Sequence, residues 1–133
     1  MKTVFILSVL CFFSLAQTVQ KEKDSGKPLT YCVFFHSPGP NWQQGVPFQE
    51  QPGVRDHVSY MRQLFEKQLM VMGGPFPDNS GGMMIYRGSD LEKARELAEA
   101  DPAVKSGLLK VNVKLWLVPM SSVQFSEKEP EKP

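Results

Sequence analysis

The chain has two histidines, and its most promising chemistry starts with one of them. His57 stands in VRDHVSYMRQLFEKQ, where Val54, His57, Val58, Met61, Leu64, Phe65 and Gln68 recur at three- and four-residue spacing. That spacing puts them on one face of a helix. A histidine on an apolar face is either a core residue with its ring nitrogens satisfied or a general base held in a pocket. Imidazole suits the second role because it exchanges protons near neutral pH. Tyr60, one turn away, either donates a hydrogen bond to a substrate oxygen or keeps its hydroxyl wet at the surface. Trp42, Phe48, Phe76 and Trp116 are suited to wall an apolar pocket for a ring-shaped ligand, and core packing accounts for each equally well. His36 ends an apolar strand pattern and is assigned no role beyond a possible pocket rim.

Other chemistries find little support. The glycines of GGPFPDNSGG at 73–82 have no Lys-Ser/Thr after them and open no G-x-G-x-x-G helix, so they read as a turn rather than a phosphate loop. Two histidines and Cys32 show no zinc-ligand spacing, so neither metal nor cofactor is expected. Ser59 is too near His57 along the helix to face it.

Residues 1–16, MKTVFILSVLCFFSLA, have the form of a secretory signal peptide. Lys2 supplies the positive start, the apolar run is too short to span a bilayer, and Ser14 and Ala16 are small residues at the cleavage positions. Export to the periplasm or beyond is expected, with no stable membrane anchor after cleavage. Loss of Lys2 leaves equal numbers of basic and acidic residues, 14 each. No segment has the basic excess that nucleic-acid binding needs. Cys11 also goes, and a lone Cys32 excludes an internal disulfide framework. Cys32 reads as a buried structural thiol.

One small domain is expected over 30–119. A polar leader precedes it at 17–29, and a Glu-, Lys- and Pro-rich tail expected to be disordered follows at 120–133. Inside the domain, aromatic and β-branched runs predict strands over 30–36, 69–76, 82–87 and 109–118. Helices are predicted over 54–68 and 90–100. The second is opened by a capping box of Ser89 and Glu92 and stopped by Pro102. A loop of about 17 residues at 37–53 is long enough to suggest function. The βαββαβ order predicts an α+β, ferredoxin-like fold, with two helices on one face of a four-stranded antiparallel sheet. The strands are apolar on both faces, and two short helices cover only one. Sheet-to-sheet packing in a homodimer is therefore expected.

Three segments carry a resemblance: DHVSYM at 56–61, GGPFPDNSGGMMIY at 73–86 and AEADPAVKSGLLKVNVKLW at 98–116. In this order they resemble the YCII-related family, small proteins with the dimeric α+β-barrel form of the ferredoxin-like fold. The resemblance implies an active-site pair of His57 and Asp101, with the carboxylate fixing the ring's tautomer. Most members have no established reaction. A few relatives remove chloride from chlorinated hydroquinones, and similar barrels isomerise lactones. Many relatives look cytoplasmic, so the signal peptide is a departure. Two functions stay open: a cofactor-free lyase or isomerase acting through His57 and Asp101, or a non-catalytic envelope protein that holds a small apolar ligand or serves in a stress response.

Overall fold

The computed structural model describes residues 29–121. The expected signal peptide lies outside the described residues, as do nearly all of the expected leader and tail. Strand β1 (Leu29–Pro38) leads through a 3-10 turn (Phe48–Glu50) to helix α1 (Val54–Glu66). Then come β2 (Met70–Pro75), β3 (Gly82–Tyr86), α2 (Leu91–Glu99), the short α3 (Pro102–Lys105) and β4 (Leu109–Val118). The four strands form one sheet in the order β2-β3-β1-β4, and every neighbouring pair is antiparallel. This is the α+β, ferredoxin-like arrangement that the order of elements predicted.

Strand parity sorts the side chains. Cys32, Phe34 and His36 of β1 pair with Tyr86, Met84 and Gly82 of β3. Cys32 and Phe34 pack with Met61 and Leu64 of α1 and with Ala94 and Ala98 of α2. The two alanines let α2 approach the sheet closely. Burial of a side chain the size of Leu64 stabilises by about 1.5–3 kcal/mol. Tyr31, Val33, Ile85 and Val118 form a second buried cluster, on the sheet face turned away from the helices. The Cys32 thiol is fully buried, and desolvation raises its pKa, with Asp90 adding to the effect and Arg95 opposing it.

Local details differ from the expectations. The cap of α2 is Asp90, whose carboxylate accepts from the Lys93 N–H at 3.1 Å, not Ser89. Glu92 instead pairs with Arg95 at the surface. Strand β2 runs through its two glycines, with a bulge between Met70 and Met72. Val58 and Phe65 share the apolar stripe of α1 but stay 41% and 37% exposed. No helix among the described residues is long and apolar enough to cross a membrane.

Candidate functional site

Asp101 sits at the junction between α2 and α3. It is the N-cap of α3, with Pro102 in the first helical position, where a missing N–H costs nothing. Its Oδ1 accepts from the Ala103 N–H at 2.9 Å. Its Oδ2 lies 2.6 Å from Nδ1 of His57, and the carboxylate has no exposed surface. Capping and pairing therefore coexist, one oxygen for each. An ionised carboxylate only accepts, so beside it a neutral ring carries its proton on Nδ1 and keeps its lone pair on Nε2. No partner for Nε2 is found among the described residues.

The helix stripe delivers His57: Val54, His57, Met61 and Leu64 are its buried members. Strand parity delivers His36, which shares the helix-facing side with Phe34. The His36 and His57 rings meet edge to face with centroids 5.2 Å apart. Nε2 of His36 lies 3.7 Å from Oδ2 of Asp101, beyond hydrogen-bond reach, and this buried atom has no partner. Burial pushes the His36 pKa down to about 4; His57 adds to the shift and Asp101 opposes it.

Beside the histidines lies a cavity of about 400 Å³. Glycines help to open it. Gly82 is the cross-strand partner of His36, and Gly73 pairs with Met84, so both fall on the helix-facing side without a side chain. A Cβ on Gly73 would run into Sδ of Met84 and the Met83 carbonyl. Met61, Phe65 and Met84 add apolar wall, and Arg62 lines the cavity as well.

The expected site residues are distributed unevenly. Trp42 and Phe48 line the cavity; their rings stack at 6.4 Å, and Phe48 meets His57 edge to face at 6.0 Å. The Tyr60 hydroxyl donates to the Leu97 carbonyl at 2.8 Å and ties α1 to α2 rather than pointing to a ligand. Burial raises its pKa, and the Asp101 charge adds to this. Phe76 lies outside the cavity wall and is partly exposed. Trp116 is on the opposite face of the sheet, across from Tyr31 in the register with ring centroids 6.5 Å apart. Parity along β4 puts it there.

His36 is the residue that sequence reasoning left at the rim. Its parity with Phe34 was visible, but both faces of β1 are apolar, so parity alone did not say which face was inside. Spacing along the chain offered no metal-ligand set, yet the fold brings ligand atoms of His36, His57 and Asp101 within 4.8 Å of one another.

A model of the YCII-related domain matches residues 32–117. This chain belongs to the YCII-related family. The uncharacterized protein YjpA of Bacillus subtilis (strain 168) is 35% identical over 66 residues, which is 50% of this chain and 78% of that protein. The YCII-related stretch contains all three residues of the buried cluster.

Proposed function

We propose that this YCII-related protein is a small cofactor-free enzyme of the lyase or isomerase type, acting on a ring-shaped, largely apolar substrate. The observation that carries this reading is the 2.6 Å contact between His57 and Asp101 at the wall of an apolar cavity. Asp101 holds the ring so that Nε2 is the basic nitrogen. Nε2 takes a proton from a carbon next to a carbonyl, and the electron pair of the broken C–H bond passes into an enolate. Return of the proton at another carbon gives an isomer. Departure of a leaving group from the adjacent carbon gives elimination. The fixed tautomer and the apolar surroundings both favour such a step. A cavity of this size has room for one substituted ring.

The signal-peptide pattern at 1–16 supports work after export, and the apolar second face of the sheet supports a homodimer through that face. Hydrogen–deuterium exchange tests the chemistry without knowledge of the substrate. Cyclic ketones, lactones and phenols are incubated with the protein in D2O and followed by proton NMR. Exchange at an acidic C–H is expected with the native chain and should vanish in His57→Gln. If ring compounds bind, raising Tm, but none exchanges, the protein is a ligand carrier and the catalytic reading falls.

A further inference from the structure

We infer that His36, His57 and Asp101 together form a binding site for a divalent transition-metal ion of the zinc class. Two imidazoles and one carboxylate are a donor set suited to zinc, cobalt, nickel or iron rather than to calcium or magnesium, which prefer all-oxygen cages. The three donors come from separate elements, β1, α1 and the α2–α3 junction, and converge within 4.8 Å.

An independent observation points to a missing partner. His36 is 5% exposed, and its Nε2 is buried without a hydrogen bond. That nitrogen stands 3.7 Å from a carboxylate oxygen. As a donor it would be unmet at that distance. As a lone pair it would face a negative oxygen with nothing between them. A cation held between the two satisfies both atoms.

The donors must adjust to hold an ion: they spread over up to 4.8 Å, and the widest gap would close by roughly 1 Å. Zinc bonds to nitrogen and oxygen at about 2.0–2.2 Å, which places two ligands of one ion roughly 3–3.7 Å apart. His36 and Asp101 already have that separation. His57 and Asp101 share a proton at 2.6 Å and would have to open by roughly half an ångström as the ion replaces it. The Ala103 N–H on Oδ1 supplies the outer hydrogen bond that orients a ligating carboxylate. The adjoining cavity leaves room for a water or an anion as the fourth ligand.

Metal binding changes the ring. The ion takes the Nδ1 lone pair, the Nδ1 proton goes to solvent, and Nε2 acquires one in return. Starting from the neutral ring, this exchange releases no net proton. Nε2 becomes a donor and ceases to be a base. A zinc-class ion is therefore an inhibitor of the proposed proton transfer. That consequence rests on the catalytic reading; the metal site itself does not.

The test uses the untagged full chain, freed of metal by chelator and dialysis. Zn²⁺ is titrated by calorimetry and Co²⁺ by visible absorption. One ion per chain is expected, with the intense Co²⁺ bands of a four- or five-coordinate site. His36→Ala should weaken binding by more than the roughly 10–100-fold typical of an outer-shell loss. Ring NMR of the native chain supplies a readout independent of variant folding: Zn²⁺ should shift the signals of both His36 and His57. Unmoved ring signals, a weak aquo-type Co²⁺ spectrum, or equal binding by a folded His36→Ala chain would overturn the site. If the ion does not bind but deuterium exchange persists, only this inference fails. If the ion binds and exchange is never seen, the site stands and the catalytic reading fails.

Discussion

Asp101 divides its work between its two oxygens, and substitutions can separate the roles. Asparagine caps a helix about as well as aspartate, so Asp101→Asn keeps the start of α3 while removing the charge beside His57. The folded state should persist with a loss of about 1–3 kcal/mol, read from urea unfolding. Deuterium exchange should fall by about 10²–10⁴-fold, the usual contribution of a positioned base. Unchanged exchange would show that the carboxylate does not tune the ring. His36 gives a pH signature in metal-free protein. Its ring is held at about 4 when folded and returns to about 6.5 when unfolded. Between those values the unfolded chain binds a proton that the folded chain refuses. The stability is fully present above about pH 6.5 and is lost as pH falls through about 4, about 3 kcal/mol in all. Urea midpoints should show this loss relative to His36→Phe; parallel pH profiles for the two chains would contradict it. At this level the helix stripe singled out His57 and the family resemblance supplied Asp101. His36 was not legible, because a strand that is apolar on both sides hides which side is buried.

The loop expected at 37–53 begins two residues later, because β1 runs on to Pro38, and it is braced. The Gly39 N–H bonds the Leu108 carbonyl, and Asn41 bonds Gly107 and Ser106. A Cβ on Gly39 would run into the Gly107 carbonyl, so this close approach needs glycine. Gln51, nearly fully buried, turns inward: its amide accepts from the Gln43 N–H and donates to the carbonyls of Gln43 and Val46. This bracing holds Trp42 and Phe48 against the cavity. Gln51→Ala should cost about 2 kcal/mol for the lost bonds and unmet backbone groups. Chymotrypsin should then cut the folded variant faster than the native chain at Trp42 or Phe48. Cleavage no faster than in the native protein would mean that the brace lies elsewhere. The sequence offered length as a sign of function but no sign of order, because glutamine reads as a surface residue until its backbone partners are known. The cap of α2 was misplaced by one residue for a related reason. Ser89 and Asp90 are both good caps, and only backbone geometry chooses between them.

The two sheet faces distinguish the whole molecule from its parts. One face is covered by α1 and α2. The other holds Tyr31, Val33, Ile85 and Val118, with Phe35, Met72 and Trp116 part-exposed around them. If a second copy covers that face, sedimentation velocity at micromolar concentration should give a dimer, and Trp116→Glu should shift it toward monomer. A native monomer under those conditions would end the proposal. The four strands, the two longer helices and their order follow from the sequence alone, because hydrophobic periodicity and Gly and Pro punctuation are local signals; the short α3 and the 3-10 turn did not show in it. Periodicity says which residues share a face, but not which face is inside. Helix packing settled that: it brought His36 inward to His57 and Asp101, left Trp116 on the far side, and opened a cavity over two glycines that the sequence shows only as a turn. The site exists only where β1, α1 and the α2–α3 junction converge, and that convergence is a property of the packed chain.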